Sequence, residues 1–282
     1  MKLTVRAHAK INWSLAICGE RPDGYHDLDM LMQPIALCDE ITFETAKWIT
    51  LTVQGRRLPN DGRNLIVRAA AALNDALGLR MGARITLKKC IPSRAGLGGG
   101  SADCAAALVA LNRMWNLRLP MHTLMAIGLK LGADVPFCLQ NGFARAEGVG
   151  EILTPFDPAP EVPIAMVTPD GGLSTPQVFR AWNEGQYPMR PIDNIALRDA
   201  LTRGDFRAAQ ALSRNDLEAP AIRLMPKIGE IMDQFRQLGA RYVRMSGSGS
   251  TVYAVFDTDE AARYAASQIP DTIATRTVAG RR

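Results

Sequence analysis

Apolar and polar residues alternate along the first stretch of the chain, a pattern that predicts a long β-strand. Over residues 2–18 the odd positions are apolar, whereas Lys10, Asn12 and Ser14 fall on the opposite, polar face. A strand with this period buries one face and exposes the other. Because the run is longer than an ordinary strand, we expect a bend or bulge within it.

The rest of the chain mixes helical and extended patterns without strict alternation, which favours the α+β class. A helix is predicted after residue 100, where Cys104, Leu108, Leu111 and Trp115 form one apolar stripe. The other helical patterns cover 64–78, 122–132, 175–184, 205–218, 226–239 and 259–269. The strand patterns cover 40–45, 49–53, 83–89, 163–169, 241–246, 251–256 and 272–279.

The segment between strand 83–89 and the following helix is rich in glycine. Four of the five residues from Gly96 to Gly100 are glycine, and each costs roughly 0.5–1 kcal/mol relative to alanine inside a regular element. Bare amides at the positive end of a helix dipole form a ready site for phosphate. The segment therefore predicts a phosphate-binding loop, and the alternative is a tight turn with Ser101 as helix N-cap.

Of two well-known phosphate loops, one is excluded for this segment and the other fits it only weakly. No GK[ST] sequence occurs in the chain, which excludes a Walker A loop. A dinucleotide fingerprint that started at Gly96 would have Ser101 at its sixth position, after a strand too polar to be buried on both faces. In the first helical turn, Ser101 or Asp103 could face a magnesium ion on the phosphates.

Length and composition indicate an ordinary globular protein. At 282 residues the chain is long enough for two domains, and 47% of its residues are hydrophobic. The stretch 154–163 contains four prolines, so we predict a linker there and two domains, residues 1–154 and 155–282.

Charge and cysteine content narrow the context. The net charge is +5, but the basic residues are scattered, which gives no support to nucleic-acid binding. Five cysteines without a CxxC pair indicate a reducing, cytoplasmic environment, and the three histidines lack metal-ligand spacing. No apolar run reaches the length of a membrane span and no signal-peptide pattern opens the chain. We therefore predict a soluble cytoplasmic protein that has no membrane partner.

Three motifs resemble those of the GHMP kinases, a family of small-molecule kinases. The segment IPSRAGLGGGSADCAAAL resembles the family's P-x-x-x-G-L-G-S/G-S phosphate loop. AHAKINWSL resembles the amino-terminal motif, and VRMSGSGSTVYAVF resembles the carboxyl-terminal glycine-rich motif. The resemblance implies a two-domain α+β GHMP kinase fold, with a ribosomal protein S5 domain 2-like N-terminal domain and a ferredoxin-like C-terminal domain.

The resemblance further implies that ATP, with Mg²⁺, is the phosphoryl donor. Many family members carry serine where this chain has Gly99 and Gly100. Ser101 is therefore left to supply the hydroxyl near Mg²⁺, and Asp103 is the alternative. The implied ATP-binding residues are Pro92, Ser93, Arg94, Ala95, Gly96, Leu97, Gly98, Gly99, Gly100, Ser101 and Ala102.

Lys10 and Asp134 are the catalytic residues that the resemblance implies. On pattern alone, Lys10 is a solvated strand residue and Asp134, before Val135 and Pro136, is a helix N-cap. The matches to AKIN and GADVPF imply instead that Asp134 takes the proton of the acceptor hydroxyl and Lys10 stabilises the transferring phosphoryl group. The alternative is that Asp134 mainly positions the hydroxyl, because loose phosphoryl-transfer transition states demand little base strength.

Three further stretches are similar to one branch of the family, which phosphorylates the 2-hydroxyl of a cytidine diphosphate ester of methylerythritol in non-mevalonate isoprenoid synthesis. They are GERPDGYHDLDMLMQPIALCDEI, LGADVPFCLQNGFARAEGVGEIL and DGGLSTPQVF. By resemblance, Tyr25 and Phe179 would stack on the cytosine and His26 would bond its polar edge. Asn12 and Thr175 would reach the diphosphate or erythritol end.

The segment SGSGS at 246–250 has two interpretations. As a pattern it is a hairpin turn between two strands. The resemblance implies instead a loop that closes over phosphate and substrate through Gly247, Ser248 and Gly249.

Three other functions remain open for the whole chain. They are a GHMP kinase for another alcohol such as homoserine, a dinucleotide-dependent oxidoreductase and a catalytically silent nucleotide-binding protein. For the kinase that the resemblance implies, the expected partner is a small-molecule substrate and not a nucleic acid, and the expected state is a monomer or weak dimer.

Overall fold

The computed structural model describes residues 1–280, which form two compact units. Unit 1 comprises Met1–Ala9, Leu37–Pro92 and Gly98–Asn141. Unit 2 comprises Lys10–Ala36, Ser93–Leu97 and the chain from Gly142 onward. Two long strands, β1 (Lys2–Glu20) and β2 (His26–Ala46), contribute residues to both units. The units are therefore interleaved along the sequence.

Unit 1 contains a small sheet and four helices. Strand β4 (Gly82–Lys88) pairs parallel with β3 (Thr50–Gln54) and antiparallel with the end of β2, where Glu40 faces Lys88. The helices are α1 (Leu65–Leu77), α2 (Gly99–Met114), α3 (Met121–Leu129) and α4 (Val135–Gln140). Helix α2 contacts the other three helices and lies at the centre of the apolar core.

Unit 2 contains two groups of antiparallel strands. In one, β5 (Ala144–Gly148) lies between the start of β2 and β6 (Ile152–Pro155). The other is a four-stranded sheet in the order β10 (Ile273–Arg276), β7 (Pro163–Val167), β9 (Val252–Val255) and β8 (Tyr242–Met245).

Six helices complete the part of the second unit that the structure describes. They are α5 (Thr175–Glu184), α6 (Asn194–Thr202), α7 (Phe206–Leu212), α8 (Glu218–Leu224), α9 (Lys227–Gln237) and α10 (Asp259–Gln268). Helix α9 packs on β8 and β9, and α10 packs on β7 and β10. Trp13 of β1 packs edge-on against Tyr242 and Tyr253, with ring centroids 5.2 and 5.9 Å away. Large aromatic residues therefore fill the core beneath this sheet.

Most of the predicted elements are confirmed, including the mixed helix and strand content. The apolar stripe of α2 is buried throughout, and Gly78 ends α1 in the left-handed conformation that glycine favours. The expected bend does not interrupt β1, which is one continuous strand. The stretch 156–162 connects β6 to β7 within unit 2. The domain limits 1–154 and 155–282 stay a prediction.

Two expectations from the hydrophobic pattern are wrong. The predicted helix over 205–218 ends at Leu212, because the side chains of Ser213 and Asn215 bond to the main chain of other segments. The polar face of β1 is not solvated beyond Ala9, since Lys10, Asn12 and Ser14 are as buried as the apolar face. Within residues 1–280, no helix combines the length and apolar character that crossing a bilayer requires.

Candidate active site

The predicted site residues divide between the two units. Gly98 to Ala102 and Asp134 belong to unit 1. Lys10, Asn12, Tyr25, His26, Thr175, Phe179 and Gly247 to Gly249 belong to unit 2, together with Ser93 to Leu97. Each group is therefore described within its own unit.

Helix α2 of unit 1 begins without a side-chain cap. Gly98 precedes its first turn in the left-handed conformation, with φ 66°, and provides no side-chain hydrogen bond to the first amides. The four amides at the start of any helix need partners from outside the helix. The N-cap alternative for Ser101 is wrong, because the N-cap residue is Gly98 and Ser101 lies inside the helix. The main-chain N–H groups at this end of α2 can donate hydrogen bonds to a phosphate.

The glycines of this loop are required for different reasons. A Cβ atom on Gly96 would lie 2.0 Å from the Ser246 carbonyl oxygen, and one on Gly99 would lie 2.8 Å from Ile91 Cγ2. Packing within the protein therefore excludes side chains at both positions. Gly100 is different. It lies in the helix and is exposed, and an ideal Cβ on Gly100 would lie 3.4 Å from Leu65 Cδ1, an ordinary van der Waals distance. No internal contact therefore requires glycine at position 100.

Ser101 and Asp134 are brought to the same part of unit 1. The ideal Cβ of Gly132, two residues before Asp134, would lie 3.6 Å from Ser101 Oγ. Asp134 occupies the N-cap position of α4, but its carboxylate caps none of the α4 amides. The half-buried Asp134 carboxylate is therefore not explained as a helix cap.

Below the first turn of α2 lies a buried charge cluster that sequence reasoning missed. Lys89 Nζ donates to Asp39 Oδ2 at 2.5 Å and to Asp103 Oδ2 at 2.6 Å, and all three side chains are almost fully buried. Asp39 Oδ1 also accepts the Cys90 and Ile91 amides. One oxygen of the Asp103 carboxylate, Oδ2, is therefore engaged by Lys89, and the alternative that Asp103 faces a metal ion stays a prediction.

Asp103 is the member of this cluster whose pKa is raised. Burial raises the pKa of the Asp103 carboxyl from its ordinary 3.8 to about 7, although the Lys89 ammonium acts in the opposite direction. Asp103 Oδ1 is buried without a hydrogen-bond partner among residues 1–280. One ammonium thus serves two carboxylates beneath the predicted phosphate site.

In unit 2, Lys10 is buried beside the carboxyl-terminal glycine loop. Its ammonium is in a side chain only 4% exposed and donates to Asn12 Oδ1 at 2.7 Å. The Lys10 amide donates to the Leu97 carbonyl, and an ideal Cβ on Gly247 would approach Lys10 Nζ to 3.2 Å. Burial of a lysine is costly without a function or partner, so the interpretation as a solvated surface lysine is wrong.

The segment 246–250 connects β8 and β9, as the hairpin interpretation predicts, but it is a buried and clamped loop. Asn215 Nδ2 donates to the carbonyls of Met245 and Gly247 at 2.9 and 2.8 Å. Ser246 Oγ donates to the Gly96 carbonyl at 2.9 Å, which ties the two glycine-rich segments together. Ser248 Oγ lies 2.8 Å from Thr175 Oγ1.

Helix α5 carries the residues of the predicted base site. Thr175, Phe179 and Asn183 are spaced by four, which places them on one face of the helix. The His26 imidazole stacks on Phe179, with ring centroids 4.8 Å apart and planes at 27°. Trp182 packs at a right angle to the same imidazole, at 5.6 Å. Asn183 Oδ1 lies 2.9 Å from His26 Nε2.

The three predicted base-binding residues differ in how fixed they are. His26 is only 6% exposed and held by three residues of α5, whereas the Tyr25 side chain is 63% exposed. The Tyr25 amide donates to Asp23 Oδ1 in the preceding turn. His26 and Phe179 are thus brought together, and Tyr25 is the member exposed to solvent.

Sequence comparison identifies both halves of a known family in this chain. The profile of the GHMP kinases N terminal domain matches residues 64–142, and that of the GHMP kinases C terminal domain matches residues 197–274. The first match contains the start of α2 and Asp134. The second match contains the loop 246–250.

Curated relatives match along nearly the full length. The chain is 44% identical to the 4-diphosphocytidyl-2-C-methyl-D-erythritol kinase of Pelotomaculum thermopropionicum over 270 residues, or 95% of this chain and 94% of the relative. It is 42% identical to the kinase of the same name from Moorella thermoacetica over 283 residues, or 98% and 99% of the two chains.

Solved structures agree with this result. A crystal structure of 4-(cytidine 5'-diphospho)-2C-methyl-D-erythritol kinase superposes with a TM-score of 0.84 at 37% identity, covering 99% of this chain and 100% of that one. The homoserine kinase of Cytophaga hutchinsonii superposes with a TM-score of 0.76 at 18% identity, covering 100% and 96% of the two chains, a likeness of fold alone.

Proposed function

Since the chain belongs to the GHMP kinase family and is a small-molecule kinase, we propose that its acceptor is 4-diphosphocytidyl-2-C-methyl-D-erythritol. The γ-phosphate of ATP passes to the 2-hydroxyl and gives the 2-phosphate and ADP, a step in the synthesis of isoprenoid precursors. The observation that carries this proposal is the match, along nearly the full length, to two kinases named for this substrate.

The donor site is assigned to the start of α2 and the loop before it. ATP is the donor throughout the family, and the uncapped amides at Gly98 to Ser101 suit its anionic phosphates. Gly100 supports this assignment, because no internal contact requires glycine there and the missing side chain lets a ligand approach the main chain closely. We therefore retain residues 92–102 as the ATP-binding segment.

Whether a magnesium ion fits the donor site depends on the protein side chains that could bind it. Among residues 1–280 there is no cluster of three or more carboxylate, histidine or cysteine side chains that could enclose a metal ion. Mg²⁺ in nucleotide sites usually keeps several waters and takes one or two protein ligands plus phosphate oxygens, so the Ser101 hydroxyl fits. When bound, the ion neutralises the negative charge of the transferring phosphoryl group.

Asp134 and Lys10 are assigned to the reacting groups. Asp134 holds or accepts the proton of the 2-hydroxyl, which is supported by a half-buried carboxylate that does not cap α4, the helix it precedes. Lys10, buried and oriented by Asn12, provides a fixed ammonium that stabilises negative charge on the transferring group. Transfer is direct, from ATP to the hydroxyl, without a phosphoenzyme.

The cytidine end is assigned to β2 and α5. The stacked pair His26 and Phe179 offers an aromatic surface and a ring nitrogen in one place. Stacking of a base on an aromatic side chain is worth about 1–3 kcal/mol. Tyr25, adjacent to His26 and exposed, covers the opposite face of the cytosine. Asn12 and Thr175 serve the diphosphate or the erythritol moiety.

Product analysis by phosphorus NMR tests the proposed function. The protein is incubated with ATP, Mg²⁺ and the cytidyl substrate, and we expect a new phosphomonoester resonance together with ADP. Parallel incubations contain homoserine or no acceptor. ADP formation with homoserine but not with the cytidyl substrate would replace this proposal by the alternative acceptor.

A further inference from the structure

Three residues of helix α5 contact the His26 imidazole. Phe179 covers a face of the ring, Trp182 packs perpendicular to it, and Asn183 Oδ1 meets Nε2 at 2.9 Å. Asn183 itself is exposed and lies one helical turn after Phe179. Its side chain therefore adds little to the core, and its contact with the ring needs another explanation.

The chemistry of this contact decides where the imidazole carries its proton. A carboxamide oxygen accepts hydrogen bonds and cannot donate them. The ring nitrogen that faces Asn183 Oδ1 must therefore carry hydrogen, so that Nε2–H donates. In the neutral ring the other nitrogen, Nδ1, then holds a lone pair and is an acceptor. No group within residues 1–280 hydrogen-bonds to Nδ1.

We propose that Asn183 is a specificity-determining positioning residue, which holds His26 in the Nε2–H tautomer so that Nδ1 accepts a hydrogen bond from the exocyclic amino group of cytosine. This inference rests on the proposed function of the same site. Cytosine has an amino donor at position 4, where uracil has a carbonyl acceptor. A uracil oxygen would face the Nδ1 lone pair, and the unpaired acceptors would disfavour it.

The opposite tautomer makes the opposite prediction. If the Asn183 amide were turned to donate to Nε2, the ring would carry its proton on Nδ1, which suits the uracil carbonyl. The choice between cytosine and uracil therefore depends on which atom of Asn183 faces the ring. Neither Phe179 nor Trp182 can make this choice, because their contacts with the ring involve no acceptor.

The tautomer is measured directly by nitrogen NMR of the imidazole. The full-length protein is labelled with ¹⁵N-histidine and recorded at pH 8, above the range in which histidine side chains ordinarily titrate. The chain has only three histidines, so His26→Gln identifies the resonances. We expect the shifts of a protonated Nε2 and an unprotonated Nδ1. A protonated Nδ1 would overturn the proposal.

Two substitutions at the same position separate the hydrogen bond from the packing. Asn183→Leu removes the acceptor at similar size, and Asn183→Asp retains an acceptor oxygen. We expect mixed tautomer shifts for Asn183→Leu and the wild-type pattern for Asn183→Asp. Gln177→Leu is the matched control, because it replaces another exposed amide of α5 that does not contact His26. An unchanged tautomer in Asn183→Leu would contradict the proposal.

Base selectivity is measured by titration calorimetry with CDP and UDP as probes. We expect wild-type protein, Asn183→Asp and Gln177→Leu to prefer CDP, and Asn183→Leu to lose about tenfold of that preference, the effect of one hydrogen bond. An equal loss for both probes would indicate a structural role and would refute the proposal.

The outcomes distinguish this inference from the function on which it rests. If phosphorus NMR shows phosphorylation of the cytidyl substrate while Asn183→Leu keeps full selectivity, the function stands and the role of Asn183 is wrong. If wild-type protein binds neither CDP nor UDP and makes no product, both are overturned.

Discussion

The two proposed ligand-binding regions of this protein are built from different parts of the chain. In unit 1 the binding surface is main chain, at the uncapped start of α2, and depends on the absence of side chains. In unit 2 the binding surface is side chains, the His26 ring and the residues of α5 that hold it. A main-chain site fits any phosphate, whereas a side-chain site can discriminate one base from another.

The two regions also differ in what supports them. The start of α2 lies over a buried ion cluster of Lys89, Asp39 and Asp103. The His26 imidazole contacts Asn183, which is exposed. Substitutions in the ion cluster should therefore lower the stability of the protein. Substitution of Asn183 should instead change base selectivity and leave the fold intact.

The largest expected effect is on the rate of phosphoryl transfer and not on the binding of either ligand. Asp134→Asn should lower kcat by about 10²–10⁴, because the variant cannot accept the proton of the hydroxyl. Binding of ATP and CDP should stay within about twofold, since neither binding region loses a contact. Steady-state kinetics and calorimetry measure the two effects. The control is Asp75→Asn on the exposed face of α1, and a kcat within threefold of wild type for Asp134→Asn would contradict the assignment.

The next effect concerns the buried ion cluster beneath the start of α2. Lys89→Met leaves two buried carboxylates without a counterion and should lower the free energy of unfolding by about 3–5 kcal/mol. Urea unfolding measures the loss. Lys88→Met is a matched control at the neighbouring residue, the exposed last residue of β4, and should stay within about 0.5 kcal/mol of wild type. Equal losses in the two variants would show that the cluster does not stabilise unit 1.

A smaller effect follows from the raised pKa of Asp103. Because burial raises this pKa from 3.8 to about 7, the folded protein binds more protons than the unfolded chain between these values. The Asp103 contribution to the free energy of unfolding therefore falls as the pH rises from about 4 to 7. In Asp103→Asn this contribution should vanish, so the stability of the variant should gain on wild type over that range. Parallel stability curves for the two proteins would contradict the raised pKa.

The start of α2 could be predicted from sequence because its determinants are local. Glycines before an apolar stripe specify both the uncapped end and the buried face of the helix, and all of these residues lie within twenty positions of one another. The burial of Lys10 was not predictable in this way, since alternation along β1 shows two faces but not what covers them.

The buried ion cluster and the role of Asn183 depend on distant parts of the chain. Asp39 meets Lys89 because β2 and β4 pair with Glu40 opposite Lys88, a register that no local pattern of the two strands specifies. Asn183 meets His26 across 157 positions. One signal was available, since Asn183 follows Phe179 by four residues and so shares its face of α5.

Calorimetry of ATP and CDP on one pair of variants tests the division into two binding regions most directly. Gly100→Glu places a carboxylate at the start of α2, where it suits the helix dipole but opposes phosphate, and Gly100→Gln is its neutral control. We expect Gly100→Glu to weaken ATP at least about 100-fold and leave CDP unchanged. Phe179→Ala should weaken CDP by about 1–3 kcal/mol and leave ATP unchanged. If Gly100→Glu binds ATP like wild type, or Phe179→Ala weakens ATP as much as CDP, the assignment of the two regions is wrong.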